Sequence, residues 1–215
     1  MALMPSVAHA LAAVPLVFAI TLHEVAHGWA ARRCGDPTAA RQGRLTLNPF
    51  RHVDLFGTLV LPGLLYASHA GVVFGWAKPV PVVWRNLRDI PRDIAIVAAA
   101  GPLANLLMLM GWLGLGLVIG AVLPGRTEDL VRVTCLNGVM FNATIMLLNL
   151  IPIPPLDGSR IVTAVLPRRA AVLYNRIEPF GLIVIALLLF SRLLDPVLDA
   201  PLAWVEAFAE RCLGV

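Results

Sequence analysis

The first residues of the chain that could do chemistry together are His23, Glu24 and His27, in the sequence His23-Glu24-Val25-Ala26-His27. On a helix, His23 and His27 lie one turn apart on one face, and Glu24 borders that face. Two imidazoles at this spacing can share a zinc ion, and the neighbouring carboxylate can act on the zinc-bound water. Residues 1–22 carry no Asp, Glu, Lys or Arg, so Glu24 ends an uncharged apolar stretch. A charge within a membrane helix costs about 2.5–3.5 kcal/mol, which favours a functional role for it.

The composition indicates a membrane protein. The 215 residues are 59% hydrophobic and only 14% charged, whereas soluble domains carry roughly 25% charged residues. Four uncharged tracts exceed the roughly 18 residues that suggest a spanning helix: 1–22, 55–77, 94–125 and 133–156. The net charge is +4, but the basic residues lie at the ends of apolar tracts and form no single run. This pattern is typical of membrane topology and argues against nucleic-acid binding.

The arginines also predict how the chain crosses the membrane. Several of them follow the first helix, predicted over Pro5–Arg33, so the end that carries His23 and His27 should face the cytoplasm. Arginines flank both ends of 55–77, which favours a re-entrant segment that returns to the cytoplasmic side. A single full crossing is the alternative. On either side of this tract, residues 42–48 and 77–84 are predicted to be extended and strand-like, because the first alternates polar and apolar residues and the second contains X-Pro steps.

Three further helices are predicted, at about 94–123, 132–150 and 172–194, followed by a short amphipathic tail. The predicted fold is an all-α polytopic membrane protein with a three-helix catalytic core. A re-entrant or β-hairpin insertion separates the first two core helices, and one C-terminal transmembrane helix and an interfacial tail helix follow. No repeat, linker or inserted soluble domain interrupts residues 1–215, so a single membrane-embedded domain is expected.

A catalytic zinc site needs a third protein ligand, and Asp157 is the candidate. It follows the apolar tract 133–156 and comes directly after Pro152-Ile153-Pro154-Pro155-Leu156. The prolines free backbone carbonyls from helical bonding close to membrane depth. Taken alone, Asp157 could equally be the N-cap of a new helix, since Asp is a preferred cap. The embedded His-Glu-x-x-His elsewhere in the chain favours the ligand.

Three motifs together carry a family resemblance. They are HEVAHG (23–28), GPLAN (101–105) and NLIPIPPLDG (149–158), in this order and in apolar surroundings. The chain, over about residues 5–166, resembles the site-2 protease family of intramembrane zinc metalloproteases. It is most similar in layout to compact bacterial and archaeal members without a PDZ or CBS domain, and residues 170–215 would then add a C-terminal helix and tail.

The resemblance implies one zinc ion per chain and an active site that opens to the cytoplasmic side. It implies hydrolysis of a peptide bond within or beside a transmembrane segment of a membrane protein, for regulated intramembrane proteolysis or for clearance of membrane remnants. The lipid bilayer and the transmembrane substrate are the expected partners. The implied roles fall on six residues: His23, His27 and Asp157 as zinc ligands, Glu24 as general base, Asn149 for the oxyanion or the substrate backbone, and, more weakly, Asn105 for substrate or support.

Two alternatives stay open at the level of sequence. A CaaX-type membrane zinc protease should use a glutamate as third ligand, but no embedded glutamate other than Glu24 is present. A non-catalytic metal-binding scaffold or transporter on the same fold would not need a base at Glu24. His69 lies in the re-entrant tract and could line the cavity. The two extended stretches could also hold an unwound substrate by β-augmentation.

Overall fold

The computed structural model describes residues 4–69, 75–122 and 126–214, with side chains described for 14–69, 75–122 and 130–214. Within these ranges every regular element is helical and no strand is present. The helices are α1 (Met4–Arg33), α2 (Thr38–Arg41), α3 (Leu61–Ala67), α4 (Ile90–Val122), α5 (Arg126–Leu150), α6 (Asp157–Val165), α7 (Arg168–Asn175), α8 (Gly181–Phe190) and α9 (Asp195–Leu213). A π-helical turn at Leu55–Val60 leads directly into α3.

Three of these helices, α1, α4 and α5, pack against one another and form the centre of the structure. Helix α6 packs against α4 and α5, and α9 packs along α5 and α4 with Ala209 and Leu213 buried. Small residues allow the close approach: Gly116 lies against Leu213, and Gly138 lies against the Trp112 ring. The predicted tail helix is therefore present as α9, while its interfacial position stays a prediction.

Among the residues with described side chains, three helical segments are long and apolar enough to cross a bilayer: Ile90–Val122, Leu130–Leu150 and Arg168–Phe190. The last consists of α7 and α8 joined by a short 3₁₀ turn at Glu178–Phe180. The prediction of a multi-pass, all-helical membrane protein is confirmed at this level.

The strand prediction for residues 42–48 and 77–84 is wrong within the described residues. Residues 75–83 run without helix, but they pair with no neighbouring strand. Pro79 and Pro81 have no N–H to donate to a ladder. Two main-chain amides on the opposite edge donate to carbonyls of the preceding turns, Trp76 to Gly57 at 3.0 Å and Lys78 to His52 at 2.9 Å. An extended segment bonded in this way to turns needs no hairpin partner.

The helix Leu55–Ala67 begins where the Asp54 side chain accepts the Gly57 N–H at 2.7 Å. At 1.5 Å per residue it is about 20 Å long, less than the roughly 30 Å of a bilayer's hydrocarbon core. This length favours the re-entrant path over a full crossing. The choice stays a prediction, because residues 70–74 of the same tract lie outside the described residues.

One buried acid, Asp36, joins the end of α1 to the chain that leads into α4. It is fully buried and accepts the Val83 N–H at 2.6 Å and the Asn86 side-chain amide at 2.9 Å, together with two bonds from Thr38. Burial by itself raises the pKa of the Asp36 carboxyl, but the hydrogen bonds from Asn86, Thr38 and Val83 outweigh it, and the pKa lies below its ordinary value.

An apolar cluster packs the end of α1 against the chain that leads into α4 and the start of that helix. Its buried members are Ala30, Ala31, Cys34, Leu87 and Val97.

Replacing Asp36 with Asn should lower the thermal midpoint in detergent by roughly 3–12 °C. Hydrogen bonds to a charged group contribute about 1.5–3 kcal/mol, and each kcal/mol corresponds to roughly 2–4 °C for a chain of this size. Asp199→Asn, a change at an exposed acid on α9, is the matched control and should leave Tm unchanged.

The contribution of Asp36 should also depend on pH. Because the pKa of Asp36 is lower in the folded protein, the ionised carboxylate stabilises the folded state above the unfolded pKa of about 3.9. This stabilisation is lost as pH falls through the folded pKa. The Tm difference between wild type and Asp36→Asn should therefore be constant from pH 7 to pH 5 and narrow below about pH 4; a difference that widened there would contradict this account.

Candidate metal centre

Helices α1 and α6 bring three potential metal ligands to one point. His23 Nε2 and His27 Nε2 lie 3.0 Å apart, and each lies 3.2 Å from Asp157 Oδ2. The two imidazoles come from successive turns of α1, as the i, i+4 spacing predicts. Asp157 is the first residue of α6 and comes from the other end of the sequence. His23, His27 and Asp157 form a cluster of metal-ligand type within the described residues.

The local structure before α6 directs Asp157 inward. The N-cap of α6 is Leu156, and no side chain caps this helix. Asp157 therefore does not act as the cap that its position could suggest. Its Oδ2 is buried and has no hydrogen-bond partner in the described part of the chain. Gly158 permits this placement, because a Cβ there would collide with the carbonyls of Leu150 and Ile151.

The second ring nitrogen of each histidine has its own acceptor. His23 Nδ1 lies 2.6 Å from Asn105 Oδ1, and His27 Nδ1 lies 2.7 Å from the Val97 carbonyl oxygen. With Nδ1–H donating to these oxygens, each Nε2 presents its lone pair to the cluster, which is the tautomer that a metal requires. Asn105 is fully buried and is itself held, since its amide donates to the Ala19 carbonyl at 3.2 Å and to Asn142 Oδ1 at 2.9 Å.

Helix α4 approaches the histidines closely at Gly101. A Cβ at this position would lie 2.6 Å from His23 Cε1 and 2.7 Å from His23 Nε2, and closer still to His27 Nε2. The missing side chain leaves the space beside both ligand nitrogens open. Pro102 follows in the helix interior, and a proline there removes one backbone hydrogen bond and displaces the preceding turn. The Val97 carbonyl that accepts from His27 lies just before this turn.

The cluster fits a zinc ion. Tetrahedral zinc with bonds of about 2.0–2.1 Å to nitrogen and oxygen holds its ligand atoms about 3.3–3.4 Å apart, and the three atoms here are separated by 3.0 to 3.2 Å. Two neutral imidazoles and one carboxylate are a common donor set for catalytic zinc. When both Nε2 atoms are unprotonated, the buried Asp157 Oδ2 accepts no hydrogen bond that would offset its desolvation. A cation among these three atoms would provide that compensation.

Two of the other sequence-predicted residues, Glu24 and Asn149, have hydrogen-bond partners outside this cluster. Glu24 Oε2 accepts the Val80 N–H at 2.7 Å, a contact between α1 and the extended segment 75–83. Asn149 occupies the second-last position of α5, and its side-chain amide donates to the Ile145 carbonyl of its own helix at 2.9 Å.

His69 is exposed at the end of α3 and lies against the Ala67 carbonyl of its own turn, so the structure does not bring it into the cluster. Sequence reasoning missed three contributors: the Val80 amide, the Val97 carbonyl and the open space at Gly101. Only Gly101 had a signal, as part of the GPLAN motif.

Gly101→Ala should weaken zinc binding by more than tenfold, because the new methyl group would occupy space beside both Nε2 atoms. Gly111→Ala is the matched control on the same helix, since a Cβ at Gly111 meets nothing within 4 Å. Both substitutions raise helix propensity by about 1 kcal/mol. A loss of zinc affinity in Gly101→Ala alone would therefore come from the cluster and not from the change in helix propensity. Zinc per chain by mass spectrometry, during titration with a chelator, measures the effect. Equal zinc affinity in the two variants would contradict the role given to Gly101.

Comparison with known proteins shows the family to which this chain belongs. The family model described as peptidase family M50 matches residues 125–191, the range that contains Asn149 and Asp157. The chain is 35% identical to the "Putative zinc metalloprotease YwhC" of Bacillus subtilis over 196 residues, covering 87% of this chain and 85% of that protein. It is 29% identical over 187 residues to the "Putative zinc metalloprotease Rip2" of Mycolicibacterium smegmatis, covering 83% of this chain and 66% of that protein. It is 33% identical over 143 residues to Rip2 of Mycobacterium tuberculosis, covering 65% of this chain and 51% of that protein. No solved structure gives a significant match. With its membrane helices, the chain belongs to peptidase family M50, the site-2 protease family.

Proposed function

We propose that this membrane metalloprotease is an intramembrane zinc endopeptidase that hydrolyses a peptide bond within or beside a transmembrane segment of another membrane protein. The observation that carries the proposal is the convergence of His23 Nε2, His27 Nε2 and Asp157 Oδ2 within 3.2 Å of one another. Glu24 lies next to His23 on the same helix. A scaffold or transporter on this fold would need the ligands but not this carboxylate.

The three ligands would hold one zinc ion, which supplies a Lewis acid that lowers the pKa of a bound water towards about 7. Asn105 and Val97 fix the two imidazoles so that each Nε2 faces the ion. Asn105 thus fits a supporting role better than direct substrate contact, since it is completely buried. Glu24 takes the proton from the attacking water and passes it to the leaving amine.

Asn149 is the proposed group for the oxyanion or the substrate backbone. It stands at the end of α5, next to the turn that leads to Asp157. Its amide has two N–H groups, and one donates to Ile145. The other can donate to a substrate oxygen.

The site opens to the cytoplasmic side in this proposal. The support is the arginines, including Arg32 and Arg33 in the last turn of α1, one to two turns beyond His27. We take residues 1–215 as a single membrane-embedded domain.

The extended segment 75–83 is a poor docking edge for an unwound substrate. Pro79 and Pro81 cannot donate on one edge, and on the other edge the amides of Trp76, Lys78 and Val80 already have acceptors. Strand addition at this segment is therefore not part of the proposal.

Glu24→Gln should abolish cleavage of a model transmembrane substrate while zinc stays bound, because glutamine keeps the shape of the side chain but cannot take a proton. The loss should be about 10²–10⁴-fold, the usual contribution of a general base. Asp157→Ala is the contrasting variant and should lose both cleavage and zinc. Cleavage by purified protein in bicelles and zinc content are measured for both. Full cleavage by Glu24→Gln would remove Glu24 from the mechanism, and zinc retained in Asp157→Ala would remove the third ligand.

Asn149→Ala should lower kcat by about 10²–10³-fold, the loss seen when one oxyanion donor is removed, with zinc content unchanged. Asn137→Ala, nearer the start of the same helix, should keep wild-type kcat. Steady-state cleavage rates in bicelles decide the matter. An Asn149→Ala enzyme with a normal kcat would assign Asn149 to the structure of α5 alone.

A further inference from the structure

We propose that the main-chain amide of Val80 is the group that positions Glu24, so that the extended segment 75–83 is a working part of the active site. Val80 N–H donates to Glu24 Oε2 at 2.7 Å. It is the one hydrogen bond of this carboxylate within the described residues. This role rests on the proposed protease activity, because it concerns how Glu24 is oriented as the general base.

The position of the Val80 amide is fixed by contacts along the whole segment. Arg44, itself buried, donates from Nη2 to the Lys78 carbonyl at 2.9 Å and to the Pro79 carbonyl at 3.2 Å. Lys78 N–H donates to the His52 carbonyl at 2.9 Å. Beyond Val80, the Val83 N–H donates to Asp36 at 2.6 Å. The segment is therefore held on both sides of the amide that meets Glu24.

The side chain of Val80 adds a contact that sets its distance from α1. Val80 is 6% exposed, and a Cβ on Gly28 would lie 2.7 Å from Val80 Cγ1. Gly28 directly follows His27, so the absence of a side chain there lets the segment lie against the same turn of α1 that holds the metal ligands. The amide and the carboxylate meet because of this close approach.

A glutamate side chain has three rotatable bonds, and an unheld carboxylate would sample orientations away from the cluster. Hydrogen bonds to charged groups are short and strong, particularly where water is scarce. With Oε2 bound to Val80, Oε1 has no hydrogen-bond partner among the described residues and can face the attacking water. One oxygen is thus fixed by the backbone and the other is available for proton transfer.

Val80→Pro tests this role, because proline removes the N–H and keeps an extended backbone. Val80 already precedes Pro81, which restricts it to extended conformations. We expect kcat to fall about ten- to hundredfold, equivalent to the loss of one hydrogen bond to a charged group. KM and zinc content should stay within about twofold, since the change acts on the orientation of Glu24 and leaves His23, His27 and Asp157 unaltered.

Two control variants separate the amide from other effects of the substitution. Val80→Ala keeps the N–H and loses only the contact of the side chain with α1, so its kcat should fall less than that of Val80→Pro. Ala77→Pro places a proline in the same segment at a residue whose N–H has no partner in the described part of the chain, and should retain kcat. A normal or raised kcat in Val80→Pro would overturn the proposal.

A second pair of measurements distinguishes loss of the hydrogen bond from a folding defect in Val80→Pro. An ester bond in place of the Pro79–Val80 peptide, introduced with the α-hydroxy acid of valine, removes the N–H with almost no change of shape, and should lower kcat to the same range. In a Glu24→Gln background, Val80→Pro should add no further loss to the residual rate, because the two changes remove one function. A normal kcat in the ester variant, or fully additive losses, would refute the positioning role. If Glu24→Gln itself were fully active, the proposed function would fail before Val80 came into question.

Discussion

The structure depends on one buried constraint: three potential ligand atoms from α1 and α6, one of them on a carboxylate, converge among apolar helices. A buried anion is costly unless it is paired, and Asp157 Oδ2 has no hydrogen-bond partner of its own in the described residues. Both imidazoles already use their Nδ1 atoms elsewhere, on Asn105 and on the Val97 carbonyl. With both Nε2 atoms unprotonated, the three inward-facing atoms are all electron-pair donors, and a cation among them would satisfy the arrangement.

This requirement explains much of the packing between helices. The hydrogen bonds that orient the two histidine rings are made with Asn105 and Val97 of α4, so α4 must lie close against α1. Gly101 permits that approach from the side of α4, and Gly28 permits the extended segment to approach α1 from another side. Asn105 is also bound to α1 and α5 through Ala19 and Asn142. The same buried amide thus orients a ligand and joins the three central helices, which explains why a polar residue is tolerated at complete burial.

The sequence predicted the parts of the site that are side chains with a characteristic spacing. His23 and His27 follow from helix geometry, and Asp157 follows from an acid after a proline-broken apolar tract; the structure brings these three together. The strand prediction failed because polar–apolar alternation and X-Pro steps indicate an extended chain but do not show whether a second strand pairs with it. In residues 75–83 the partners are turn carbonyls and two carboxylates, Glu24 and Asp36. The bond from Val80 to Glu24 joins residues 56 positions apart, and the bond from Val83 to Asp36 joins residues 47 positions apart. In both bonds the donor is a main-chain amide, which every residue except proline carries, so the pattern of one sequence does not predict them.

Extended backbone near membrane depth is possible only where protein or water satisfies its polar groups. In this chain the groups that satisfy it include the carboxylates of Glu24 and Asp36, so the segment and α1 stabilise each other. Truncation of the Val80 side chain keeps the N–H group. Changes at Arg44 or Asp36, which hold the segment on either side of Val80, would instead shift the path of the segment and with it the amide. The orientation of Glu24 then rests on residues remote from the reaction, and their effect on rate should exceed what their distance from the metal centre suggests.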